Sequence, residues 1–249
     1  MVKSREARIS ELFVTLADTL IDDFDVVDFL HSLATACIEL LDVDAAGLML
    51  ANPRGGLRLV ASSPPELRDL EVFELQADEG PCLDTFSTGE PVVNVDLTEA
   101  KDRWPVFTEA ALAMNLQSTH ALPLRLRGQL IGAMNLFSHS EQRLSEADLT
   151  LGQALADVAT ISLLQHRAIR EQALLAQQLQ SALDSRILVE QAKGVLAERS
   201  GLTPTETFGY LRGHARATQQ SMTVVATAII EGRLDFDELR ASRTRPSRR

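Results

Sequence analysis

The sequence predicts an α+β protein: an antiparallel-sheet domain, one long helix, then a small helical bundle. Three observations carry that expectation. Apolar residues recur three and four apart at both ends of the chain, the spacing of amphipathic helices. Between residues 45 and 137, short apolar runs are broken by turn signals such as Asn52-Pro53-Arg54-Gly55-Gly56 and Arg127-Gly128. Charge is also divided. Residues 1–185 hold 13 Lys and Arg against 28 Asp and Glu, residues 186–249 hold 11 against 7, and −15 plus +4 gives the net −11.

Taken in order, residues 6–21 place Ile9, Leu12, Phe13, Leu16 and Leu20 on one helical face, which predicts an N-terminal helix within residues 1–24. Residues 26–41 repeat the pattern with Leu30, Leu33, Ala34, Cys37 and Leu41, and Asp25 is suited to cap that helix. Residues 45–50 and 57–61 read as a strand pair, closed by Pro64-Pro65, and residues 67–73 are ambiguous. A short helix is expected over 79–88, opened by Glu79-Gly80-Pro81 and stopped by Gly89, followed by a strand over 91–95 and a helix over 104–114. Residues 119–126 and 129–137 form a second hairpin. Ser145 with Asp148 three residues on makes a capping box, and the helical pattern then runs to about residue 200. Helices on one face of the sheet are the expected packing, with residues 25–165 as one domain.

The composition excludes several classes. Apolar residues reach 45% but aromatics only 4%, so the core is aliphatic. No apolar run reaches the roughly 20 residues of a bilayer span, and the N-terminus lacks a continuous apolar stretch, so neither a membrane partner nor a secretory leader is expected. Two cysteines, Cys37 and Cys82, are too few for a disulfide framework and fit a reduced, cytoplasmic setting. The five histidines show no metal-ligand spacing, and phosphate-loop, nucleophile-elbow and zinc-protease motifs are missing. No metal, no cofactor and no catalytic set is therefore expected, and the chain reads as a non-enzyme.

Along the expected linker, residues 166–185, and just beyond it, Ile169, Ala173, Ala176, Gln180, Leu183 and Ile187 alternate four and three apart. That is the seam of a coiled-coil linker helix joining two copies of the chain; the alternative is a helix packed on its own domain. Residues 186–236 read as three short helices. Ala192, Val195 and Leu196 face inward on the first and turn Lys193 outward beside Gly194. Thr203-Pro204 opens the second, on which Phe208, Leu211 and Ala215 form the inner stripe and Arg212 and Arg216 share another face. Gly194 serves either close helix packing or close approach of a ligand. Residues 237–249, with Arg240, Arg243, Arg245, Arg248 and Arg249, read as a basic disordered tail.

Residues 79–97 (EGPCLDTFSTGEPVVNVDL) and 121–138 (ALPLRLRGQLIGAMNLFS) resemble a GAF domain, and Ala192-Lys193-Gly194-Val195-Leu196 with the Tyr210–Arg216 helix and the Val225-Ala226 step resembles an ANTAR domain. The resemblance implies a transcription antiterminator. A sensor domain would govern a dimeric three-helix module that grips paired hairpins in leader RNA and blocks terminator formation. The RNA-contacting residues would be Lys193, Gly194, Arg212, Arg216, Thr218, Gln219 and Gln220. The family often has Asn followed by basic residues where Gln219 and Gln220 stand, and Ala where Thr207 stands. These departures keep open a second reading, in which the bundle binds a protein and the chain is a sensor scaffold.

A pocket of the GAF kind would be lined by Leu48, Leu50, Cys82, Phe86, Trp104, Phe107 and Met134. Such a lining suits a small hydrophobic or aromatic signal molecule better than a nucleotide, and the Asn-Lys-Phe pattern of cyclic-nucleotide-binding relatives is missing. A domain that binds nothing and only dimerises is the alternative. Cys82, next to a helix start, is either a reactive thiol or a small core residue.

Overall fold

The computed structural model describes residues 4–18, 25–141 and 143–244. The expected helical positions 19–21 and the tail arginines Arg245, Arg248 and Arg249 lie outside them. The chain divides into two compact units, 1–168 and 169–249.

The front unit begins with α1 (Arg5–Asp18) and α2 (Val26–Leu41). Asp25 caps α2 as its sequence predicts, accepting from the N–H groups of Val27 at 2.7 Å and Asp28 at 3.2 Å. The strands β1 (Ala45–Ala51) and β2 (Leu57–Ser63) follow, then α3 (Leu67–Ala77), α4 (Pro81–Thr88), β3 (Val92–Asp96) and α5 (Pro105–Ala113). Finally β4 (Ser118–Leu126) and β5 (Gln129–Ser138) lead into α6 (Glu146–Ser200). The ambiguous stretch is thus α3. Its apolar positions Leu67 and Leu70 are buried, but Glu71 and Glu74 lie on the same face, which blurs the helical pattern in the sequence.

The five strands form one antiparallel sheet in the order β2-β1-β5-β4-β3. Here the expected single-faced packing is corrected. Side chains alternate across a strand, and both faces of β1 are buried. Ala46 and Leu48 meet α2 and the start of α6, through Leu33, Cys37, Leu155 and Ala159. Ala45 and Met49 meet α3, α4 and α5 through Leu67, Leu70, Cys82 and Phe107. The unit is therefore three layers deep, with the sheet in the middle. By length and composition alone α6 could cross a bilayer, but its apolar N-terminal third is part of this core.

In the rear unit the end of α6 packs with α7 (Pro204–Thr218), α8 (Met222–Ile230) and α9 (Phe236–Thr244). Thr203 and Glu206 form a reciprocal capping box at the start of α7, with the Glu206 carboxylate accepting from the Thr203 N–H at 2.9 Å. Ser221 caps α8 through the Val224 N–H at 3.2 Å. The core holds Ala192, Leu196, Leu211, Val225, Ala226, Ile229 and Leu239. Two expectations change. Residues 237–244, read as disordered, belong to α9, whose Leu239 is fully buried and whose Phe236 meets Tyr210 edge-on at 5.0 Å. Phe208 is not on the inner stripe: it is 39% exposed, and Thr207 is buried instead.

Replacing Leu239 by Ala should cost about 2–4 kcal/mol of rear-unit stability, the usual loss for a buried leucine. Urea unfolding followed by Tyr210 fluorescence measures it, and an unchanged midpoint would remove α9 from the core.

Candidate functional site

The rear unit presents a continuous line of four side chains. Phe208, Arg212 and Arg216 are four apart on α7 and share one face. Both arginines are exposed, and neither has a hydrogen-bond or ion-pair partner among the described residues. The Lys193 ammonium lies 5.7 Å from the centre of the Phe208 ring. It is also paired with Glu190 at 2.8 Å, and its side chain is only 17% exposed. Lys193 therefore does not stand free as the sequence reading expected, and part of its charge is answered locally. The Thr207 hydroxyl is directed to the Pro204 carbonyl at 3.0 Å and the Lys193 carbonyl at 3.5 Å, which ties α7 to α6 beneath this line.

Gly194 is exposed, and a Cβ built on it would meet nothing within 4 Å. Close packing inside the unit is thus not what glycine serves there. At the far end of α7, Gln219 closes the helix in the left-handed conformation with φ 56°, and the Gln220 N–H returns to the Ala215 carbonyl at 3.0 Å. Thr218, Gln219 and Gln220 are all exposed; the Thr218 hydroxyl is held by the His214 carbonyl at 2.8 Å. The structure thus brings Lys193, Arg212 and Arg216 together along one line, with the Thr218–Gln220 corner at its end. Sequence reasoning missed Phe208, although its place four residues before Arg212 could have shown it.

Every residue from 169 to 184 of α6 is exposed. The predicted seam residues Ile169, Ala173, Ala176, Gln180, Leu183 and Ile187 all face solvent. Gln180 reaches along its own helix to Asp184 at 2.8 Å. The richer apolar stripe includes Leu175 and Leu179, which the seam omitted: Leu179 is 64% exposed, and Leu175, Leu179 and Leu183 are four apart.

In the front unit the seven predicted pocket residues do not line one cavity. Leu48, Leu50 and Met134 lie on the α2 side of the sheet. Cys82, Phe86, Trp104 and Phe107 lie on the other. The physical reason is register: Leu48 pairs with Met134, and residues two apart on a strand share a face. Leu50 alone of the seven lines a groove of about 340 Å³, with Val26, Leu130, Ile131, Leu163 and His166 among its other walls.

On the α3 side the aromatic residues pack on one another. Trp104 meets Phe107 edge-on at 6.1 Å, and its indole N–H donates to Asp84 at 3.1 Å. Asp84 also pairs with Arg103, which lies over the Trp104 ring at 4.4 Å. Cys82 is a fully buried core thiol. Its burial, with the carboxyl groups of Glu74 and Glu71 beside it, raises its pKa well above the ordinary value, so the helix start does not favour a thiolate. Cys37 is likewise pushed up to about 12 by burial. Burial also holds His120 neutral, lowered to about 4, with its Nδ1 accepting from the Asn94 N–H at 2.9 Å. Among the described residues no group of three or more His, Cys, Asp or Glu side chains could hold a metal ion.

Residues 25–163, more than half of the chain, match the GAF domain family, to which the chain belongs. Residues 177–230 match the ANTAR domain. The architecture is therefore a GAF sensor domain followed by an RNA-binding antiterminator domain, and α9 lies beyond the second match. Among solved structures the chain is similar to the GAF domain of an Acinetobacter phosphoenolpyruvate-protein phosphotransferase, with 16% identity, a TM-score of 0.52 and coverage of 68% of this chain and 98% of that one. It is similar also to the free methionine-R-sulfoxide reductase of Neisseria meningitidis solved with its substrate, with 20% identity, a TM-score of 0.52 and coverage of 68% and 96%. These likenesses speak for the fold. No curated protein is significantly similar in sequence.

Gly194→Ala should stabilise the rear unit by about 1 kcal/mol, since the added methyl has open space and glycine is a poor residue inside a helix. A lower melting temperature would mean that the backbone there is closely covered.

Proposed function

We propose that the chain is a sensor-regulated antiterminator whose rear unit binds paired hairpins in leader RNA and prevents the terminator from forming. The observation that carries this reading is the Lys193–Phe208–Arg212–Arg216 line. Cations spaced along a helix suit phosphate oxygens, and a half-exposed aromatic ring between them suits a base splayed out of a loop. Gly194 leaves backbone open next to Lys193, and Thr218, Gln219 and Gln220 offer hydrogen-bonding groups that suit base edges.

In this reading two copies pair through the exposed stripe of α6, centred on Leu175, Leu179 and Leu183. Exposed leucines in such number favour burial against a second helix. Pairing brings two rear units to one transcript, so the second contact is made at high effective concentration. The front unit regulates the grip and performs no chemistry of its own. A small hydrophobic molecule in the groove beside Leu50 fits as a signal better than one in the packed α3 face. Such a role belongs to the cytoplasm, where leader transcripts are made.

Two measurements test the proposal. Arg212→Glu with Arg216→Glu should weaken binding of a two-hairpin RNA at least about 100-fold and lower the dependence of log affinity on log salt by about 2. Unchanged RNA affinity, or none in the parent protein at low salt, would favour a protein partner for the rear unit. Leu179→Asp should convert a dimer into a monomer in sedimentation at micromolar concentration and reduce RNA affinity with it. A dimer that survives the change places the interface elsewhere.

A further inference from the structure

On the α3 side of the sheet, two carboxyl groups occupy positions where apolar side chains would pack. Glu71 and Glu74, one turn apart on α3, are both fully buried. Room for them is made by two glycines. A Cβ on Gly47 would fall 2.1 Å from the Glu71 carboxyl oxygen, and one on Gly80 would fall 2.5 Å from the Glu74 side chain. Asn135, paired with Gly47 across β1 and β5, supplies the polar floor. Its amide nitrogen donates to Glu74 at 2.7 Å and to the two Glu71 oxygens at 3.3 and 3.4 Å. Its own oxygen, also buried, has no hydrogen-bond partner among the described residues.

The two acids are not equivalent. Glu74 also accepts from the N–H groups of Cys82 at 2.7 Å and Leu83 at 3.4 Å, the free donors of the first turn of α4. It stands in for the cap that Gly80 lacks, at the end of the helix where a negative charge is favoured. Among the described residues Glu71 has only the longer bonds to the shared amide. Among the described residues no cation answers the pair. β1 and β5 carry no ionisable side chain, and α4 contributes Cys82 and the like-charged Asp84. Arg58 of β2, Glu109 of α5, and Arg68 and Asp69 of α3 itself are exposed.

We propose that Glu71, Glu74 and Asn135 form a proton-operated latch: a proton on the carboxyl pair ties α3, α4 and β5 together, and its loss drives Glu71 toward water and frees the α3–α4 corner. Two buried like charges so close cannot both be carried in an apolar core. Burial first, then the Glu74 charge, raises the Glu71 pKa well above 4.5. Burial likewise raises Glu74 to about 8, against the lowering by its hydrogen bonds. The folded form thus holds protons that the unfolded chain releases near 4.5. The stability this contributes is complete below that pH and is lost as pH rises through the folded values, which for Glu74 means from about 4.5 to about 8. This latch goes beyond the antiterminator reading, and each of its readouts lies within the front unit.

Cys82 reports the opening, because it is buried against Glu74 and Cys37 lies in the opposite core layer. The full chain is alkylated under native conditions from pH 6 to 9, and each cysteine is followed by mass spectrometry. Rates are divided by those of the unfolded chain at the same pH, which removes the titration of a thiol that opening has exposed to water. The ratio for Cys82 should rise about tenfold or more across the range, while that for Cys37 stays flat. Glu71→Gln should cancel the rise. A flat Cys82 ratio overturns the latch, and so does a parallel rise at Cys37, which would mean unfolding of the whole unit. If the Gln variant fails to fold, hydrogen exchange of the Cys82 and Leu83 amides in the unaltered chain decides. Protection corrected for intrinsic exchange should fall with pH, and constant protection overturns the proposal.

Discussion

The structure depends on one unbroken helix serving three environments. α6 is 55 residues long and helical along its whole length. What varies is what its side chains meet. Leu155, Ala156 and Ala159 are held in the sheet core. Residues 169–184 face solvent. Ala192 and Leu196 then enter a second core. A solvent-facing helix of that length draws little stability from intrahelical bonds alone, so the packed segments at both ends hold the middle in register. The exposed leucines in that middle stretch are apolar surface that the single chain leaves uncovered, the surface assigned above to the proposed pairing.

Much of the architecture was legible in the sequence because its signals are local. Asp25, the Ser145–Asp148 box and the Thr203-Pro204 start mark helix ends by chemistry that acts within three or four residues. The hairpin at Arg127-Gly128 is equally local. What escaped the sequence was relational. Alternation along β1 says that Leu48 and Met49 face opposite ways, but not that helices cover both sides. Cys82 and Phe107 could therefore be grouped with Leu48 when the sheet in fact divides them. α3 was ambiguous because Glu71 and Glu74 occupy its inner face, and a buried acid reads as a surface residue in any pattern of polarity. On the rear unit, Lys193 and the two arginines were legible as a basic face. Phe208 was misplaced because an aromatic residue at helical spacing reads as core, whereas Thr207 fills that space and bonds to the Lys193 carbonyl.

Charge is used differently in the two units. In the rear, Arg212 and Arg216 are kept at the surface, where any charge they meet is screened by salt. In the front, acids at the surface repel such partners, while Glu71 and Glu74 are held where salt has little reach. The chain thus separates a surface suited to another molecule from an interior suited to the smallest of ligands, the proton.

α9 bears on how the rear unit behaves when handled alone. It packs along α7, with Phe236 against Tyr210 and Leu239 in the core, yet it lies past residue 230, where the ANTAR match ends. A fragment trimmed to that match would lose the lid of its own hydrophobic interior. The bared rings and aliphatic groups would adhere to whatever is nearby, including other fragments. Self-association of so short a piece would then reflect the cut, and would say nothing about whether whole chains pair.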